Sequence, residues 1–336
     1  MNKKNQNKDG AGTGKRALSF VAVILALLAL LLWAVNTGSL SVSLSQLFRG
    51  LFVSYDKTVA TIYDLRFPRI FISMMAGAAL AVSGVLFQAV LKNPLADPGI
   101  IGISSGASFF AVVISSFFPM LYFFTPLLAF LGGLLAFSLV YSLSWKGGLS
   151  PIRIILVGVA VQAMFTGLSN ALSSAGGMSS VSSIINANIS MKTWNDVRTL
   201  AVYSLPGLVL SLFTVKSCNL MTLEDKTARG LGVNVNRSRI LVSLVAVLLA
   251  GITTAVAGAV SFLGLIVPHI GRLLVGHDHK VLIPFSAILG ADLYLLADTL
   301  GRSIAAPAEI SASVLLAVVG GPFFIVLLRR SKTYGG

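Results

Sequence analysis

The chain has 336 residues, of which 56% are apolar and only 11% charged, with a mean hydropathy of +0.90. An ordinary soluble globule is excluded, since its charged share is about a quarter. The formal charge of +14 would suit a nucleic-acid binder, but the basic residues are scattered between apolar runs and no aromatic-basic module accompanies them, so no nucleic-acid partner is expected. One cysteine, Cys218, excludes an intrachain disulfide and a Cys-based metal cluster.

A hydrocarbon core about 30 Å thick needs about 20 apolar residues per helix, and lipid cannot satisfy bare backbone, so each spanning run should be helical. Ten runs stand out, near 18–35, 67–90, 101–119, 124–144, 152–174, 200–216, 240–257, 261–275, 283–301 and 311–328. They predict an all-α, polytopic membrane protein forming one transmembrane domain, 1–336, with a basic tail over 1–17 and a charged loop over 216–239. Barrel strands would alternate polar and apolar residues, which these runs do not.

In chain order, the first run follows the basic tail as a signal peptide would. It is too long and lacks a small-x-small cleavage site, so a retained helix is expected. Within the tail, "GAGTGKR" (10–16) imitates a phosphate loop but has Asp9 where the first glycine belongs and Arg16 where Ser or Thr belongs, so the chain is not expected to bind ATP. The second run opens on "DLRFPRIF" (64–71), whose Arg66 and Arg69 read either as snorkelling anchors or as a basic landing patch for an acidic partner. Ser73, Gly77, Ala81 and Gly84 follow at helical spacing and predict close backbone packing. "KNPLADPGIIGISSG" (92–106) then breaks the helix: Pro94 and Pro98 remove donors, while Gly99, Gly102 and Gly106 permit unusual backbone angles. Irregular backbone at membrane depth is tolerated only when buried or lining a watery path, so a gate at this end is expected.

The loop 216–239 is longer than most helix connections. Glu224 through Gly230 read as a short helix that Gly230 and Gly232 can end, a handle for a soluble partner. The run 261–275 is short and begins after a tight "AGAV" turn. His269 has no nucleophile or carboxylate neighbour, and "GHDHK" (276–280) offers His277, Asp278 and His279 without further ligands, so neither catalysis nor a metal is expected. In the ninth run Asp292 is the main intramembrane carboxylate, and Asp298 has Arg302 at i+4. With the N-terminus inside, 18 of the 25 Lys and Arg face the cytoplasm, which places both termini there and Arg66, Arg69 and Arg302 outside.

The stretches "RFPRIFISMMAGAALAVSGVLFQ", "NPLADPGIIGISSGA", "LEDKTARGLGV", "GAVSFLGLIVPHIGRLLVGHDHK", "LLADTLGR" and "GGPFFIVLLRR" resemble, in order and over nearly the full length, the permease subunits of type II ABC importers for iron-siderophores, haem and vitamin B12, the FecCD-like family. The resemblance implies a ten-helix subunit in the bacterial cytoplasmic membrane that pairs with a second permease, two ATP-binding cassette ATPase subunits and an extracytoplasmic substrate-binding protein. It implies no cofactor and no ATPase activity of the chain's own. By this resemblance Arg66, Arg69 and Arg302 look like the arginines that receive the binding protein, and Asn93, Pro94 and Leu95 like the cytoplasmic gate. Leu223, Glu224, Ala228, Arg229, Gly230 and Gly232 lie in what looks like the ATPase-coupling segment, although their spacing departs from the E-x-A-x-x-x-G pattern. "SIINANISMKTW" and "EISASVL" also depart from the family pattern, which suggests a non-identical sister permease and a more regular start to the last helix. The expected cargo is an iron(III)-siderophore, hydroxamate type first, with haem or vitamin B12 as the alternative. A secondary transporter coupled through Asp292 is the reading from another class.

Overall fold

The computed structural model describes residues 12–38, 40, 42–144, 151–176, 184, 186–232, 234–304 and 308–330, and all regular elements among them are helical. They are α1 (Thr13–Asn36), α2 (Leu44–Phe52), α3 (Lys57–Leu65), α4 (Phe67–Val90), α5 (Ile103–Phe117), a 3-10 turn (Pro119–Phe124), α6 (Thr125–Ser144), α7 (Pro151–Gly176), α8 (Trp194–Phe213), α9 (Val215–Met221), α10 (Asp225–Gly230), α11 (Val235–Ala257), α12 (Leu263–Val275), α13 (His279–Ile304) and α14 (Ala312–Arg330). The "GAGTGKR" stretch is described only from residue 12, and Thr13 to Arg16 form the first turn of α1.

Eight helical segments among the described residues are long and apolar enough to cross a membrane. The other two expected runs form shorter apolar helices, α5 and α12. Each is reached through irregular backbone, 91–102 for α5 and 258–262 for α12, and these two segments meet: a β-carbon at Gly99 would collide with Ser261. Gly102 and Gly258 take positive φ, as does Phe262, a non-glycine residue that its buried surroundings hold in the left-handed region at φ 70°. The chain therefore spends apolar residues on non-helical backbone, which lipid would not tolerate but a protein interior does.

Helix α4 is the central element, lying against α13, α11, α12 and α8. The small residues read from the sequence explain the closeness: a β-carbon at Gly77 would land on the carbonyl of Gly290, and one at Gly84 on the carbonyl of Gly264. By contrast α1 and α14 expose rows of Leu, Val and Ile. Helices α2 and α3 lie between the first two runs and were not expected. Ser43 accepts from Gln46 N to cap α2, and Asp56 accepts from Thr58 and Val59 N to cap α3. Val59 and Ile62 of α3 then close a small core with Ala34, Val35, Ile70 and Leu295. At the start of α8, Thr193 and Asp196 form a capping box, which carries that helix six residues earlier than the apolar run alone.

Candidate functional site

Arg69 lies at the beginning of α4 and is only 5% exposed. Its Nε donates to both carboxylate oxygens of Asp298 at 3.0 Å, its Nη2 lies 2.9 Å from Asp298 Oδ1, and its Nη1 donates to Glu309 at 2.7 Å. One guanidinium thus ties α4, α13 and the segment before α14 by charge-assisted bonds, the geometry in which arginine is strongest. The expected i+4 pair is present but longer, with Arg302 Nε 3.5 Å from Asp298 Oδ2, and Arg302 also donates to the carbonyl of Ala34. Half-buried Arg66 donates through Nη1 to the carbonyls of Val35 and Leu40, at 2.6 Å each, near the C-terminal end of α1. Among the described residues it has no carboxylate partner. The structure thus brings the three arginines together, but two are held by internal acids. A cavity of about 530 Å3 adjoins the Arg69 clamp, lined by Arg69, Asp298, Glu309, Asn188 and Ser311.

At the opposite end of α4, Asn93 and Leu95 are buried and Pro94 is exposed. Asn93 Oδ1 accepts from Leu95 N, and Gln88 Nε2 donates to the carbonyls of Ala96 and Gly264, so the turn is pinned to the start of α12. Leu95 forms a buried cluster with Leu265 and Ile266, against which Phe323 and Phe324 of the last helix pack. The short helix expected over 224–230 is α10, with Glu224 in the N-cap position and Gly232 at φ 78° beyond its end. Leu223, Glu224, Arg229, Gly230 and Gly232 are exposed, while Ala228 is buried and anchors the helix.

Three residues that sequence reading left out of the site, Lys92, Asp225 and Arg239, fasten this segment, and a fourth, Asn219, ties the preceding helix α9 to residues 278–279. Lys92 Nζ donates to the carbonyl of Leu223 and to Asp225 Oδ1 at 2.8 Å, and Arg239 Nη2 lies 3.0 Å from the same oxygen. The hydrogen bond from Lys92, with the nearby Arg239 charge, holds the Asp225 carboxyl below its ordinary range, so the pair is intact at neutral pH. Asn219 donates to Asp278 and accepts from His279 N and Nδ1. The opposite charges in two loops at the same end were the available signal for Lys92 and Asp225; nothing local marks Asn219.

That same network occupies the "GHDHK" stretch: Asp278 Oδ1 takes bonds from Asn219 and Lys280 N, and His279 Nδ1 faces Asn219. Among the described residues no group of three metal-ligating side chains occurs. His269 meets Phe323 edge-on at 5.5 Å. Asp292 is 4% exposed, and neither carboxylate oxygen has a hydrogen-bond partner among the described residues.

An all-helical bundle with eight full-length apolar spans, a central helix packed through glycines, and broken segments meeting inside it defines a multi-pass membrane transport protein. Residues 25–330 match the FecCD transport family, and the chain belongs to it. It is 43% identical over 318 residues to IsdF of Staphylococcus aureus (strain Newman), described as a heme-iron transport system permease protein, covering 95% of this chain and 97% of that one. Among solved structures it is similar to a metal-chelate type ABC transporter in an inward-facing conformation, with a TM-score of 0.77 and 28% identity over 94% of this chain and 99% of the other. PsaBC from Streptococcus pneumoniae shares the fold, with a TM-score of 0.61 at 18% identity over 84% of this chain.

Proposed function

We propose that the chain is the membrane permease subunit of a bacterial ATP-driven importer of iron chelates. Its working partners are two ATPase subunits, an extracytoplasmic binding protein and a second permease, and both of its termini are cytoplasmic with the chain crossing ten times. The observation that carries this reading is the family match over residues 25–330. The exposed α10 handle agrees with it, since a permease without a nucleotide site must take up force from elsewhere. The similarity to a haem-iron permease favours haem as cargo over the hydroxamate siderophore that the sequence first suggested.

In this reading Arg66, Arg69 and Arg302 mark the outer end, Asn93, Pro94 and Leu95 form the inner gate, and the segment from Leu223 to Gly232 takes the push of the ATPase dimer. The clamp Arg69–Asp298–Glu309 narrows the docking role. Three cations stand against two carboxylates, so the cluster presents one net positive charge, and Arg66 is the member without an acid of its own. Glu309, 41% exposed at its side chain, is the clamp residue within easiest reach of an incoming protein.

The test is uptake in vesicles carrying the permease with its sister, the ATPase and the binding protein, supplied with haem or with a ferric hydroxamate chelate. ATP-dependent accumulation of haem is the expected result. Accumulation of the hydroxamate chelate alone reassigns the cargo. Uptake by the permease alone, indifferent to nucleotide and abolished by Asp292→Asn, overturns the importer reading in favour of a secondary transporter.

A further inference from the structure

The inner end of the molecule holds an ionic contact between the segment around α10 and the end of α4. Helix α10 packs on its neighbours α9 and α11. The gate turn belongs to the end of α4. Between them stands the Lys92 side chain, whose ammonium bonds to two points of the coupling segment at once, the carbonyl of Leu223 before the bend and the carboxylate of Asp225 after it. Gripping both sides of a bend transmits displacement as well as rotation, which a single contact would not.

The backbone at the other end of this side chain is equally constrained. Lys92 has φ 48°, a left-handed angle that a residue with a β-carbon adopts only when its surroundings impose it. Asn93 follows immediately, its N–H bonded to the carbonyl of Gln88, and the Gln88 amide in turn reaches Gly264. A continuous set of contacts therefore runs from α10 through Lys92 and the gate turn to the start of α12. On the far side Arg239 of α11 holds the same Asp225 oxygen, so the carboxylate sits between α11 and the gate turn.

We propose that Lys92 and Asp225 form the strut that carries movement of the α10 helix to the Asn93–Leu95 turn, and that they are positioning residues for coupling. The proposal rests on the importer reading and adds the residues through which its two ends of the inner machinery communicate. Both partners are about one-third exposed, so the strut contributes little to folding and its loss leaves an assembled complex to measure.

The experiment measures haem imported per ATP hydrolysed by the complete importer in vesicles, for the parent, Lys92→Met, Asp225→Asn, the double variant and Lys92→Arg. The expected result is at least a fivefold fall in the ratio for each single variant, no further fall in the double, and recovery to within twofold of the parent in Lys92→Arg. Non-additivity is the mark of a shared interaction, and the arginine variant separates charge from bulk. A ratio that stays at the parent level in Lys92→Met and in Asp225→Asn overturns the strut. Uptake and hydrolysis falling in proportion, or multiplied effects in the double variant, overturn it as well, because either pattern belongs to weakened assembly. A parent complex without nucleotide-dependent uptake defeats the importer reading itself, and the strut with it.

Discussion

The two ends of the central helix α4 carry the same kind of chemistry in opposite environments. At one end Arg69 meets Asp298 and Glu309 inside the protein, and at the other Asp225 meets Lys92 and Arg239 near the surface. The buried clamp is structural first: removing a partner leaves an uncompensated charge away from water. The exposed pair is worth little to folding and is free to act on motion. Similar distances thus serve different ends, and solvent access decides which.

The largest effect expected is at the buried clamp. Arg69→Met should cost about 3 kcal/mol by leaving buried Asp298 with only its longer contact to Arg302, read as loss of folded protein in a thermal-unfolding assay in detergent. Arg69→Glu would add a third carboxylate to the two already there, so its loss of uptake would report misfolding rather than docking. Next comes Arg66→Glu, which removes the one cation of the proposed docking cluster that has no carboxylate partner among the described residues: the complex should assemble with its ATPase while uptake at limiting binding protein falls at least tenfold, and unchanged uptake would refute a docking role for Arg66. Lys92→Met, the counterpart at the exposed end, should shift stability by no more than about 1 kcal/mol, so a shift as large as that of Arg69→Met would erase the contrast between the two ends. The smallest change is expected between them. Asp292→Asn relieves an unpartnered buried carboxylate and should raise the unfolding temperature slightly with uptake unchanged; a collapse of uptake would give that carboxylate a transport role.

The sequence made the apolar runs legible to within a few residues because lipid demands length and hydrophobicity locally, residue by residue. It also exposed the glycine stripe of α4 and the short helix near Glu224, whose signals are spacing and a terminating glycine. Two of the ten runs, α5 and α12, form helices shorter than the full spans. The irregular backbone before each, 91–102 and 258–262, was also legible, from Pro94, Pro98 and the glycines of the first break and from the "AGAV" turn of the second. Sequence reading missed α2 and α3, whose caps Ser43 and Asp56 were readable but whose apolar face is completed only by α1, α4 and α13.

The charged residues show where sequence reading stops. Arg66, Arg69 and Arg302 could be located along the chain, and their residence near one end followed from the order of spans. That Arg69 belongs to Asp298, 229 residues away, and Lys92 to Asp225, 133 residues away, depends on which helices lie side by side. Composition and periodicity alone established a helical membrane protein with its spans and breaks, because those are set by the solvent each segment must satisfy. Only the tertiary structure decided which charges are mated and which face water, because the strength of an ion pair is fixed by its distance and its surroundings, and a linear sequence encodes neither directly.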